Sequence, residues 1–219
     1  MASNPVAIAF MASPPEGVHR VSHPAPAGCS YWRAASEGQV FYTTPDDHAN
    51  CPVGAYTHGV ELTPQLGKEL EGLMGTMVEL KYIKVEEVRS IPRLANPLKV
   101  AAYAPLGGAP FPADVVVFRG NVRQIMLLSE AARAAGAFEA STTMGRPACA
   151  MLPAAVASES GVASVGCIGN RVYTGLGDDE LYLTIPGPKL AAVLEQLPTI
   201  LTANAELEKF HQQRQRLLS

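Results

Sequence analysis

Residues 28–35 read GCSYWRAA, and residues 148–155 read ACAMLPAA. Both segments consist of a small residue, a cysteine, four variable residues and two alanines. The pattern predicts a helix in each place, because the first segment runs on to Glu37 before Gly38 and the second is rich in alanine. A motif that recurs in this way indicates an internal repeat, which bears on the fold of the whole chain.

A second cysteine follows each copy of this motif. Cys51 follows Cys29, and Cys167 follows Cys149, at spacings that differ by only a few residues. A predicted strand precedes each copy, and a predicted helix follows each second cysteine further along the chain. All four cysteines of the chain therefore occupy corresponding positions in two similar units.

The rest of the chain mixes short strands with helices. The predicted strands are residues 5–10, 39–43, 99–104, 114–118, 171–173 and 181–185, and residues 45–51 are predicted to form a polar loop. The predicted helices are residues 29–37, 63–75, 122–135, 149–158, 188–197 and 201–217. This mixture predicts an α+β or α/β fold, and 219 residues suit one compact domain, residues 1–219. We expect two pseudo-symmetric halves from an internal duplication, with repeats at residues 1–84 and 97–196.

Composition excludes several classes of protein. Hydrophobic residues make up 47% of the chain and charged residues 17%, which is enough apolar material for a folded core. The formal net charge is -3 and no basic run is present, which argues against nucleic acid as a partner. No apolar run approaches the roughly 20 residues that span a bilayer, so no membrane partner is expected. Residues 1–13 lack the basic start of a signal peptide, which predicts a cytoplasmic protein with reduced or metal-bound cysteines.

The two cysteines that head the repeated motif lie at predicted helix starts. Free backbone N–H groups and the helix dipole at such a position favour the thiolate over the thiol. We therefore predict a lowered pKa for Cys29 and Cys149. Thiolate is the form that binds metals and attacks electrophiles.

The other two cysteines are predicted to lie in loops that contain glycine. Gly54 lies close to Cys51, and Gly166 and Gly169 flank Cys167. Glycine lets the backbone approach a bulky group closely, and its N–H can donate to sulfur. If the two halves pack about a pseudo-twofold axis, two cysteines from each half can meet at one place.

Four thiolates in corresponding positions predict a metal site with Cys29, Cys51, Cys149 and Cys167 as ligands. Soft sulfur donors favour an iron–sulfur cluster or zinc, and the glycines beside the second cysteines favour the bulkier cluster. The CxxC spacing of zinc ribbons and thioredoxins is absent from the sequence. This interpretation gives a protein with a redox, scaffold or sensor role and a possible redox partner protein.

Two alternatives stay open. In one, the cysteines line a cleft between the halves in a thiol-dependent enzyme or a binder of a small molecule such as a tetrapyrrole. His58, a candidate ligand or acid–base group, and Arg171, a candidate partner for an anion, belong to the same predicted binding region together with Gly54 and Gly169. In the other, the cysteines are small buried side chains of a structural or partner-binding protein.

One stretch, SVGCIGNRVYTGLGDDELYLTIPG at residues 164–187, resembles a family of archaeal and bacterial proteins known as domain of unknown function 169. Four further segments carry the same resemblance: CSYWRAA at 29–35, NCPVGAYTHG at 50–59, PADVVVF at 112–118 and ACAMLPAA at 148–155. The resemblance covers most of the chain and implies that all four cysteines belong to motifs typical of the family. It implies no activity and no catalytic residues.

Overall fold

A computed structural model of the protein describes residues 3–142 and 147–218. The strands are β1 (Val6–Met11), β2 (Phe41–Thr43), β3 (Val100–Pro105), β4 (Val115–Asn121), β5 (Phe138–Thr142), β6 (Gly161–Ser164) and β7 (Glu180–Pro186). The helices are α1 (Cys29–Ser36), α2 (Pro45–His48), α3 (Pro52–Thr57), α4 (Pro64–Glu79), α5 (Val85–Arg89), α6 (Val122–Ala134), α7 (Met151–Ser158), α8 (Ile168–Thr174) and α9 (Leu190–Leu218). The protein is therefore α+β, as the sequence predicts.

All seven strands of the described chain form one sheet with the order β2-β3-β1-β4-β7-β6-β5. Every neighbouring pair is antiparallel except β5 and β6. On either side of the central β1–β4 pair lies an antiparallel neighbour, β3 beside β1 and β7 beside β4. These two outer pairs have matching registers. Val6 lies opposite Pro105 on one side, as Val115 lies opposite Pro186 on the other.

The central pair has the register that a twofold axis would produce. Val6 pairs with Val117 and Ile8 pairs with Val115, so each strand meets the other at the same offset. β3, which the predicted boundaries place in the second repeat, pairs with β1 and β2. The pairing is thus symmetric, while an internal duplication and its boundaries stay predictions.

The alternation of side chains along the strands divides the core between the two faces of the sheet. On one face, Val115 and Val117 pack in a cluster that also contains Tyr31, Trp32 and Leu152, from helices α1 and α7. All four cysteines belong to this cluster or pack against it. On the other face, β4 and β7 contribute side chains to a cluster with α6 and α9. The candidate site therefore lies entirely on the α1–α7 face.

Three local predictions were wrong. Residues 171–173, predicted as a strand, belong to helix α8, because Cys167 caps a helix at this point. Residues 45–51, predicted as a loop, contain helix α2, which begins with a capping box of Thr44 and Asp47. The two predicted C-terminal helices form one helix, α9, that continues through Pro198. Leu197 and Ile200 on either side of this proline pack against the same core cluster, which holds the helix together there.

No helix in the described parts of the chain combines the length and the apolar character needed to cross a membrane.

Candidate functional site

The two cysteines that head the repeated motif begin helices, as predicted. Cys29 is the first residue of α1. Cys149 lies in a 3₁₀ turn, Ala148–Ala150, that leads directly into α7. Both N-terminal helix ends lie on the same face of the sheet.

The other two cysteines are N-cap residues of short helices rather than loop residues. The Gly54 N–H donates to Cys51 Sγ at 3.4 Å at the start of α3. The Asn170 N–H donates to Cys167 Sγ at 3.5 Å at the start of α8. Each sulfur therefore takes the place of the oxygen that serine, threonine or aspartate supplies at most helix starts. The expected N–H donation to sulfur is present, and in the second half its donor is Asn170 rather than a glycine.

The four thiols lie close enough together to interact electrostatically. The charges of Cys167 and Cys51 raise the pKa of Cys29, and the charge of Cys167 raises that of Cys51. Cys149 interacts in the same way with all three others. Since such interactions fade with distance and solvent screening, two cysteines from each part of the chain share one environment.

Burial, rather than their position at helix starts, controls the protonation of Cys29 and Cys149. Desolvation raises the pKa of Cys29 to about 12, and the nearby Asn170 side chain lowers it only in part. Desolvation likewise raises the pKa of Cys149, and the nearby Thr57 hydroxyl lowers it only in part. The predicted low pKa of the two helix-start cysteines was therefore wrong, because removal from water outweighs the field of the helix end. In the protein alone these cysteines are neutral thiols.

Asn170 is the most unusual polar residue at the site. Its side chain is only 2% exposed and lies near the Cys29 thiol and the Tyr182 hydroxyl. Neither its Nδ2 nor its Oδ1 has a hydrogen-bond partner of normal geometry among the described residues. Buried amides are almost always bonded, so the Asn170 amide has hydrogen-bonding capacity left for a water or another group at the site.

Two buried histidines stack beside Cys51, with their ring centroids 4.8 Å apart. His48 Nε2 and Thr43 Oγ1 share a hydrogen bond at 2.9 Å. His58 Nδ1 donates to the Gly54 carbonyl at 2.8 Å, which leaves Nε2 without a proton in the neutral ring. Burial lowers the pKa of both rings, so both are neutral. Neither His48 Nδ1 nor His58 Nε2 has a partner in the described residues.

The contact of His48 with Gly28 explains the small residue before the first cysteine. A Cβ atom at residue 28 would lie 2.9 Å from His48 Nδ1, closer than side chains tolerate. A larger residue there would displace either the histidine or the start of α1. The sequence pattern showed a small residue at this position, but it did not indicate that His48 lies against it.

The remaining predicted binding residues have different environments. Gly54 lies against Cys51, and a Cβ there would be 3.5 Å from the sulfur. Gly169 has open space apart from the Tyr173 ring. The Arg171 guanidinium donates to the carbonyls of Val165 and Gly177, at 2.7 and 3.0 Å, and so holds the loops around α8. Binding roles for Gly54, Gly169, Arg171 and His58 stay predictions.

The described residues contain no group of three or more His, Cys, Asp or Glu side chains already arranged to hold a metal ion. Coordination by the four cysteines therefore requires their side chains to turn toward a common centre. Metal-ligand roles for Cys29, Cys51, Cys149 and Cys167 stay predictions.

The fold and site define a class of α+β protein in which four cysteines, each at a helix start, lie on one face of a seven-stranded sheet. The chain belongs to the family described as uncharacterised ArCR, domain of unknown function 169, which it matches over residues 1–196. It is 30% identical over 172 residues to a protein of Methanocaldococcus jannaschii described as uncharacterized protein MJ0308. That match covers 75% of this chain and 72% of the relative. No solved structure matches the chain.

Proposed function

We propose that the protein is a cysteine-ligated metal protein that holds an iron–sulfur cluster through Cys29, Cys51, Cys149 and Cys167. One observation carries the proposal. Four cysteines that are far apart in the sequence belong to one core cluster or pack against it. Beyond the larger effect of burial, charges of neighbouring cysteines raise the pKa of Cys29, Cys51 and Cys149. Four clustered cysteines need a reason, because a cysteine that merely packs in a core does not require other cysteines nearby.

The chemistry of the site fits such a group. Sulfur donors favour iron–sulfur clusters and other soft-metal centres. The N–H groups of Gly54 and Asn170 already donate to two of the sulfurs, and hydrogen bonds to sulfur stabilise and tune ligated thiolates. The unsatisfied Asn170 amide lies near a third sulfur, that of Cys29, and can donate to it once it is ionised.

The raised pKa values of Cys29, Cys51 and Cys149 are compatible with metal binding. A metal ion displaces the proton of a coordinating thiol outright, so a neutral thiol in the free protein is no barrier. A thiol-dependent enzyme has the opposite requirement, because its nucleophile must be a thiolate before the reaction begins. The burial of Cys29 and the partial burial of Cys149 therefore support the metal site over the thiol enzyme.

A cluster at this site would suit a redox, scaffold or sensor role. We place the protein in the cytoplasm, where cysteines are kept reduced and available to metals, and expect a redox partner protein for an electron-transfer role. Zinc bound by the same four sulfurs is the competing occupant. A tetrapyrrole between the two halves is the competing small molecule.

Anaerobic purification followed by elemental analysis and an absorption spectrum tests the proposal. We expect iron together with acid-labile sulfide, and broad absorbance at the violet end of the visible spectrum. A colourless protein with stoichiometric zinc would replace the cluster with a zinc site. Sharp, intense visible bands without iron–sulfur absorbance would favour a tetrapyrrole. If the protein stays metal-free and colourless after anaerobic reconstitution with iron and sulfide, the cysteines are packing residues.

A further inference from the structure

An open cleft of about 620 Å³ lies at the end of helices α1 and α8 that is opposite their cysteines. Arg33 and Glu37 border it from the end of α1, Thr174 from the end of α8, and Arg119 from strand β4. Cleft volumes of several hundred Å³ are typical of sites for small molecules. The cleft shares two helices with the cysteine site but none of the cysteines lines it.

Trp32 lines a narrow recess of this cleft together with Tyr182 and Val6. The tryptophan is only 3% exposed, and its indole N–H has no hydrogen-bond partner among the described residues. The Ser3 hydroxyl, which lines both the cleft and the recess, is also buried without a partner there. An indole nitrogen can only donate, so a molecule that satisfies it must present an acceptor.

The two arginines at the cleft are engaged to different degrees. Arg119 donates to Glu180 and to the carbonyls of Thr174 and Gly175, so its guanidinium is largely committed to the end of α8. Arg33 uses only its Nε, which donates to Glu37 at 2.8 Å, and its side chain is about half exposed. The terminal amino groups of Arg33 therefore remain available as a pair of parallel donors.

We infer that the cleft binds a small organic carboxylate. The Arg33 terminal amino groups would bind the carboxylate as a fork, the geometry in which arginine recognises this group most strongly. The recess has a volume of about 20 Å³, room for about one water molecule, so the indole N–H of Trp32 and the hydroxyl of Ser3 would reach the bound molecule through a bridging water. Glu37 also lines the cleft and pairs with Arg33, and Glu180 pairs with Arg119, so the match to an anion comes from the free Arg33 amino groups and not from net charge.

Fluorescence provides a direct test, because Trp32 is the only tryptophan in the chain. The full-length protein is titrated with sodium succinate, and sodium chloride at the same ionic strength serves as the salt control. We expect a saturable change in tryptophan emission with succinate only. A response equal to that with chloride would overturn the inference, and so would saturable binding of inorganic phosphate without binding of succinate.

Two variants with the same chemical change locate the site. Arg33→Gln should abolish the succinate response, whereas Arg133→Gln should preserve it, because Arg133 is an exposed arginine on α6 that pairs with Glu130 and does not line the cleft. Unchanged succinate binding by Arg33→Gln would overturn the inference. Trp32→Phe keeps the ring and removes the N–H, and titration calorimetry should show affinity about tenfold weaker, the effect of one lost hydrogen bond.

Discussion

Replacement of Asn170 by leucine should stabilise the metal-free protein, although it removes a polar residue from a buried position. Both polar atoms of the amide are buried without a partner of normal geometry among the described residues. Burial of an unpaired polar group costs about 1–3 kcal/mol, and leucine occupies a similar volume without that cost. The branched leucine side chain fits less well beside Gly166 and Tyr182, which reduces this gain in unfolding free energy by up to about 1.5 kcal/mol. We expect a net gain of about 1 kcal/mol.

Urea denaturation of the reduced protein with a chelator present measures this change. Asn121→Ala is the matched control, because the Asn121 side chain accepts a hydrogen bond from the Gln124 N–H at 2.9 Å at the start of α6. Loss of that satisfied cap should destabilise the protein by about 1 kcal/mol. If Asn170→Leu destabilises the metal-free protein as much as the control does, Asn170 is bonded within the polypeptide. The inference that it awaits a bound group would then be refuted.

Two further predictions concern ionisable groups. Arg119 lowers the pKa of Glu180, so this carboxylate stabilises the fold at neutral pH and loses that effect as the pH falls through its folded pKa. Glu180→Gln should therefore lower the free energy of unfolding by about 1–2 kcal/mol at pH 7 but by much less below about pH 4. Urea titrations at the two pH values measure this. An equal loss of unfolding free energy at both would contradict the lowered pKa of Glu180. In the metal-free native protein, Cys29 and Cys149 should resist a thiol reagent at pH 8.5 and react on unfolding, because burial raises both pKa values. Rapid labelling of both in the native state would show that they are not buried as neutral thiols.

Much of the fold follows from local patterns in the sequence. The apolar strand around Val115 and the helix that begins at Cys29 and stops before Gly38 both form where predicted, because apolar runs and helix-ending glycines are local signals. The pairing of strands that are far apart in the sequence could not be predicted in this way. The β1–β4 contact joins residues more than a hundred positions apart, and no local pattern specifies its register.

The candidate site shows what sequence patterns leave out. Cysteine is not a common N-cap, so nothing in the sequence indicated that Cys51 and Cys167 begin helices. The pKa of Cys29 depends on how deeply the finished sheet and helices bury it, which the helix-start argument ignored. His48 lies in a short helix that resembles a polar loop, and its burial comes from neighbours distant in the sequence. Asn170 could have been noticed only by its position three residues after a cysteine.

Iron and acid-labile sulfide per chain, measured in the wild type and in four single Cys→Ser variants, test the central claim most directly. Each change at Cys29, Cys51, Cys149 or Cys167 should lower iron and sulfide together and lower stability, because metal binding contributes to folding free energy. Ser158→Ala, an exposed change on α7, should retain the wild-type content. A shared site predicts loss in all four cysteine variants and none in the control, whereas wild-type iron and sulfide in any one of the four would contradict ligation by all four cysteines.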